Sequence, residues 1–305
     1  VILLDEPARA RLVDRFGPEV APWCDALPSV VDSLTARWGL EVVSALVGNT
    51  GRTLMCRDQS GRSVVLKLTP QLDIAATEAA ALRAWAGLPR IVRLLDADYE
   101  AGAVLLEGIE PGTQMNSEEV PLDELAELFT QLHSVMGADG VPTLSERLIG
   151  FFDLAERRWQ DSVVEKYIPL EVLHRSRAAA AELGAGGPVA LVHGDLHPAN
   201  VLRGPDGIVA IDPRPCVGDP AFDAVDWAFL PLSRDHIARD DTARDHTVGG
   251  QRLDDSIAAL GGVLPELDTD RVRRWCEVLA VIVALSPLRR EGPTPYTDAL
   301  LRMAP

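Results

Sequence analysis

The sequence predicts an α+β chain in two parts. A small five-stranded antiparallel sheet carries one helix and is preceded by two helices, and a mainly helical region follows. Three observations lead there. Residues 41–108 divide into five short β-rich runs separated by turn residues. The flanking segments space their apolar residues as helices do. Two short apolar runs, Val189–Val192 and Ile208–Ile211, flank a polar turn that holds Asp195. A chain of 305 residues that is 47% hydrophobic can bury the core such an arrangement needs.

In chain order, residues 7–20 and 27–38 mix i, i+3 and i+4 apolar spacing (Leu27, Val30, Val31, Leu34, Trp38), so two helices are expected, the second ending at Gly39. EVVSALV, TLMCRD and SVVLKL then read as strands joined by GNTGR and QSGR. TEAAALRAWAG reads as a helix closed by Gly87. IVRLLDADY and AVLLEG are the fourth and fifth strands, turning at Ala101–Gly102. We take residues 1–106 as an N-terminal lobe, 107–112 as a hinge in GIEPGTQM, and 113–305 as a C-terminal lobe. The second lobe opens with an apolar stripe from Leu122 through Leu125, Leu128, Phe129 and Leu132 to Val135. ERLIGFFDLAERRWQ, EVLHRSRAAAAEL and RVRRWCEVLAVIVALSPL continue as helices, the last being the final one expected, with an Asp/Arg-rich loop near 233–250.

Charge and composition narrow the function. A formal net charge of −17 argues against nucleic acid and anionic membrane surfaces and is compatible with a cationic small substrate. No run of about 18 apolar residues appears, so a membrane span is not expected. VILLDEPARA lacks a basic leader, and Cys24, Cys56, Cys216 and Cys276 are scattered without a CxxC pair. Free thiols in a reducing cytoplasm are the expectation. Of 29 basic residues only Lys67 and Lys166 are lysines. A chain that writes almost every cation as Arg yet places Lys at 67 points to a role for a compact ammonium there.

The candidate chemistry is phosphoryl transfer, which needs held phosphates, a neutralising metal and an oriented acceptor hydroxyl. Asp195 and Asn200 stand five apart in HGDLHPAN, and Asp212 follows the apolar run Ile208–Ile211. Two carboxylates and an amide at adjacent strand ends can hold Mg²⁺ and orient a hydroxyl. An Asx turn with a helix cap explains either Asp195 or Asn200 alone, but not the set. His193 and His197 invite a zinc reading that no further ligand cluster supports, so His193 is taken as a loop brace. Lys67 lies in the strand VVLKL with Glu78 eleven residues later. That carboxylate can hold the ammonium toward phosphates, or merely favour a helix N-terminus. Gly48-Asn49-Thr50-Gly51 is a turn able to lie over phosphates, although most such turns are only hairpins. Glu107, Gly108 and Ile109 follow the last strand and offer backbone groups to an adenine edge. Asp219 and Asp223 are expected to brace the catalytic loop, and Asp226 to do likewise or to line a cationic pocket. Asp235, with Asp240, Asp241 and Asp245, belongs to a solvated loop or a substrate-facing wall.

HGDLHPANVL followed by AIDPRPCVGDPAFD resembles the aminoglycoside and hydroxyurea antibiotic-resistance kinase family, the streptomycin 6-kinase type of aminoglycoside phosphotransferase. The resemblance continues more weakly through SLTARWGL, VVLKLTP, EAAALRAWAG, VRLLDAD and VLLEGIEPG, and thins after about residue 232. It implies a bilobal protein-kinase-like fold and transfer of the ATP γ-phosphate to a substrate hydroxyl. On that resemblance Asp195 matches the catalytic Asp, Asn200 and Asp212 the Mg²⁺ ligands, and Lys67 with Glu78 the phosphate-positioning pair. Arg214 falls at a position often basic in the family, in reach of the loop or a phosphate. The implied activity is an ATP-dependent O-phosphotransferase acting on a cationic aminocyclitol such as streptomycin. The alternatives are an amino sugar, hydroxyurea or another antibiotic as acceptor, and a non-catalytic binding protein on the same fold. Substrate contacts would fall to Asp195, Arg214, Asp226 and Asp235.

Overall fold

The computed structural model describes residues 1–46, 48, 50–115, 120–160, 164–232 and 246–305, with backbone alone over 246–249. Two compact units emerge. One comprises Val1–Gln114 with Ala138–Gly140 and Val201–Arg214. The other comprises Met115–Gly137, Val141–Asn200 and Pro215–Pro305.

The first unit begins with α1, Glu6–Phe16, capped by Asp5, whose carboxylate accepts the Ala8 N–H. The expected run to residue 20 breaks at Gly17, at φ 88°, into a short 3₁₀ turn, Pro18–Val20. Helix α2, Ala21–Trp38, starts earlier than its apolar spacing indicates and ends at Gly39, at φ 63°. The sheet follows with β1 (Glu41–Leu46), β2 (Arg52–Arg57), β3 (Ser63–Leu68), β4 (Leu94–Asp98) and β5 (Ala103–Glu107) in the order β1-β2-β3-β5-β4. Every pairing is antiparallel. Helix α3, Leu72–Ala84, is the one helix inserted between strands. Leu27, Val31 and Leu34 of α2 pack on Leu54, Cys56, Val64, Leu66 and Leu68, so α2 seals one sheet face. Burying each of these leucines contributes about 1.5–3 kcal/mol. A second small sheet completes the unit, ordered β6 (Thr113–Gln114), β8 (Val201–Gly204), β9 (Gly207–Ala210).

The second unit is mostly helical. Leu125, Leu128, Phe129 and Leu132 form the buried stripe of α4, Leu122–His133, while Leu122 itself is exposed. Helix α5, Leu144–Trp159, opens on a capping box between Thr143 and Glu146. Helix α6, Leu170–Gly184, packs against α5 and the long helix Thr269–Glu291, which buries Val272, Trp275, Cys276 and Leu279. Strand β7 (Ala190–Val192) pairs with β10 (Cys216–Gly218), and α7 covers Val225–Phe229.

Several expectations need correction. The apolar runs on either side of the HGDLHPAN turn are not neighbouring strands. The first pairs with Cys216–Gly218 and the second with Val201–Gly204, in separate sheets. The two short strands that complete them, of four and three residues, each end in a glycine, and the first also carries Arg203, so they are too brief for a periodicity reading. The structure also adds helices over His246–Val263 and Pro295–Met303, beyond those the sequence predicts. All four cysteines are buried and free. Among the described residues no helix is long and apolar enough to cross a membrane.

Candidate active site

Period-two strand geometry decides where Lys67 points. Val64, Leu66 and Leu68 face the core under α2, so Lys67 faces the opposite side of the sheet. Helix α3 packs against β4 and β5 and delivers Glu78, which is 3% exposed. The Lys67 ammonium lies 2.6 and 2.8 Å from the two Glu78 carboxylate oxygens and 2.7 Å from Asp212 Oδ1. Asp212 sits just past β9 at φ 56°, a left-handed conformation that is costly for a residue with a side chain. One ammonium thus joins two carboxylates. Burial alone would lower the Lys67 pKa, but Asp212 and Glu78 together raise it above the ordinary lysine range. Burial, reinforced by Asp212, raises the Glu78 carboxyl despite Lys67 and Arg214.

The same cleft is lined by Gly48, Thr50, Gly51 and Arg214. The Thr50 carbonyl accepts the Thr69 hydroxyl at 3.1 Å, and Arg214 Nη2 donates to the Thr50 hydroxyl. Gly51 is required by close approach, since a Cβ there would stand 2.2 Å from the Leu68 carbonyl oxygen. Lys67, Glu78, Asp212, Arg214, Gly48, Thr50 and Gly51, separated by up to 166 positions, therefore share one concave surface.

The segment after β5 is less open than its position implied. The Glu107 N–H donates to Arg93 O and the Gly108 N–H to Ser63 O, both at 3.0 Å. The Glu107 carboxylate accepts the Arg93 N–H at 2.8 Å. Gly108 is again a matter of space, because a Cβ would meet Ser63 at 2.6 Å. Of the three N–H groups only that of Ile109 lacks a partner among the described residues.

In the helical unit, the 193–200 loop is held by its own backbone and by one buried carboxylate. Asp223, 3% exposed, accepts the His193 N–H at 2.8 Å and the Gly194 N–H at 2.7 Å, and meets His133 Nε2 at 3.0 Å. Burial would raise this carboxyl, but His133, His193 and the Gly194 N–H hold it below its ordinary value. Arg147 donates to the Gly194 carbonyl at 2.8 Å. Fully buried His193 places Nδ1 3.4 Å from the Asp195 N–H, consistent with a bracing role. The Asp195 carbonyl accepts the His197 N–H at 3.0 Å and Asn200 Nδ2 at 2.9 Å. That amide bond directs the Asn200 carbonyl oxygen away as an acceptor. The Asp195 carboxylate stays half-buried, with Asn200 Nδ2 at 3.4 Å. A constrained, partly open carboxylate of this kind can accept a proton from a hydroxyl held beside it.

Asp219 differs from expectation. It caps its own turn through the Ala221 N–H and takes Arg271 Nε and Trp275 Nε1, both at 2.6 Å, so it ties the turn to the Thr269–Glu291 helix rather than to the 193–200 loop. Asp226 is half-buried on α7. Its carboxyl is pushed up to about 6, first by burial and then by Asp195 and Asp223, against the pull of His197. Asn49 and Asp235, with the rest of the acidic loop, lie outside the described residues. Sequence reasoning missed His133, Arg147, Arg271 and Trp275. The only signal for His133 was its place one turn beyond Phe129 on the buried stripe of α4. No spacing linked it to an aspartate ninety positions away.

Comparison with known proteins gives the family. The family model described as aminoglycoside/hydroxyurea antibiotic resistance kinase matches residues 37–290. The chain is 30% identical over 283 residues to a streptomycin 6-kinase of Streptomyces glaucescens, covering 90% of this chain and 87% of that one. It is 33% identical over 269 residues to a hydroxyurea phosphotransferase of Kitasatospora aureofaciens, covering 82% and 70%. Among solved structures, the choline kinase LicA of Streptococcus pneumoniae superposes with a TM-score of 0.60 at 18% identity, over 91% of this chain and 97% of that one. The fold is thus protein-kinase-like, and the chain is a small-molecule kinase that belongs to the aminoglycoside/hydroxyurea antibiotic resistance kinase family.

Proposed function

We propose that this kinase moves the γ-phosphate of ATP to a hydroxyl of a small cationic aminocyclitol of the streptomycin kind. The observation that carries this reading is the Lys67 ammonium, fixed between Glu78 and Asp212 in a cleft shared with the Gly48–Gly51 turn. Within that reading Lys67, positioned by Glu78, meets the phosphates, and Gly48, Thr50 and Gly51 lie over them. The 107–109 segment takes the adenine edge through backbone groups, chiefly the Ile109 N–H. Asp195 orients the acceptor hydroxyl and takes its proton late in an in-line transfer. Asp223, by fixing the His193 and Gly194 N–H groups, keeps the loop that carries Asp195 in place.

Asn200 and Asp212 are proposed as Mg²⁺ ligands. Both offer hard oxygen donors, the kind a cation that keeps most of its waters prefers. When bound, the ion supplies neutralisation of the phosphate charge. A cationic acceptor suits the net charge of −17 and Asp226, which we assign to the substrate. Free buried cysteines suit a cytoplasmic location. A second reading, phosphorylation of hydroxyurea, is favoured by the 33% identity to the Kitasatospora enzyme.

A coupled ATP-consumption screen over streptomycin, related aminocyclitols, amino sugars and hydroxyurea decides between them. Streptomycin-dependent consumption, reduced by about 10²-fold or more in Asp195→Ala, is expected. Turnover on hydroxyurea alone selects the second reading, and unimpaired Asp195→Ala removes that residue from the chemistry.

A further inference from the structure

The cleft holds two cations, and they differ in what they have left to offer. An ammonium has three donors. Lys67 already faces three acceptors, two on Glu78 and one on Asp212, all within 2.8 Å. A guanidinium has five donors in a planar fork. Arg214 uses one, to the Thr50 hydroxyl, and among the described residues its other donors have no partner. Arg214 is half-buried in the wall of the same cleft and close enough to Glu78 to perturb its carboxyl. Thr50 in turn is held through its carbonyl by Thr69, so the hydroxyl that grips the arginine is itself fixed.

We infer that Arg214, oriented by the Thr50 hydroxyl, is the cleft's open phosphate-binding cation and selects a nucleoside triphosphate over the diphosphate and the nucleoside. This deepens the reading of the cleft as a nucleotide site and rests on it. A phosphate reaching Lys67 must displace Asp212 from the ammonium, whereas Arg214 can take two phosphate oxygens without breaking a protein contact. Thr50 is a positioning residue. It removes rotational freedom from the fork, so less is lost when the phosphate arrives.

The test is equilibrium binding to the full chain of a non-hydrolysable ATP analogue, ADP and adenosine, by calorimetry. Arg214→Ala should weaken the triphosphate analogue about tenfold or more, ADP less, and adenosine by under twofold. Arg214→Lys should fall between, since one point charge replaces a fork. Thr50→Val should lose about threefold on the triphosphate and nothing on adenosine, a selectivity that mere loosening of the turn would not produce. Arg214→Ala binding the analogue as the parent does overturns the inference, as does equal weakening of analogue and adenosine. If Arg214→Ala does not fold, Arg214→Lys and Thr50→Val decide by the same selectivity. A parent chain that binds none of the three ligands overturns the nucleotide reading itself, and this inference with it. Normal parent binding with unaffected variants overturns the role of Arg214 alone.

Discussion

Asp226 shows how one residue's surroundings become a measurable property. The groups that act on it come from several elements: Asp195 and His197 from the 193–200 loop, and Asp223 from the turn before α7. It acts in turn on Tyr296, whose phenol is pushed up to about 12 by burial and by Asp226, and on the buried Cys276 thiol. With its carboxyl near 6 when folded and close to ~3.9 when unfolded, the folded chain keeps a proton that the unfolded chain has released. Its contribution to stability is complete below the lower value and is lost as pH rises toward the upper one. Asp226→Asn should therefore melt several degrees above the parent at pH 7.5, about 1–2 kcal/mol after allowance for solvent screening. At pH 4 the two should melt together. Coincident melts at both pH values would mean that Asp226 ionises without penalty. Arg214 and Lys67 teach a related lesson, because residue scarcity singled out the lysine while donor geometry singles out the arginine.

Among the elements, the 193–200 loop has its rigidity written elsewhere in the chain. Two consecutive N–H groups and the His133 imidazole converge on the buried Asp223 carboxylate. Removing it strands buried donors, each costing about 1–3 kcal/mol. Asp223→Ala is expected to lower unfolding free energy by about 3 kcal/mol or more in urea titration, and to cut turnover by loosening the Asp195 loop. Asp223→Asn, which keeps one acceptor, should lose roughly half as much stability. An Asp223→Ala chain as stable as the parent would show that the loop holds itself. The HGDLHPAN and DPAFD motifs could be read in order, but their joining through this carboxylate could not. A hydrogen bond across 30 positions leaves no periodic trace.

For the molecule as a whole, the charge of −17 bears on substrate choice. A cationic acceptor drawn by that field should be screened as the Debye length falls from about 30 Å at 0.01 M to about 10 Å at 0.1 M. With ATP saturating, KM for a cationic aminocyclitol should rise several-fold over that range, while KM for uncharged hydroxyurea stays level. A salt-independent KM for the aminocyclitol would mean that its recognition is not electrostatic. By itself the sequence determined the five antiparallel strands, because alternation and turn residues act over a few positions. It also singled out Lys67, Glu78, Asp195, Asn200 and Asp212 as candidates, because their motifs are local. Only the tertiary structure decided that the two apolar runs enter different sheets, that Asp219 serves Arg271 and Trp275, and that, among the described residues, Lys67 has all its donors engaged while Arg214 engages one. Those outcomes depend on which groups meet after the chain has folded, and hydrogen-bond valence is counted in space rather than along the sequence.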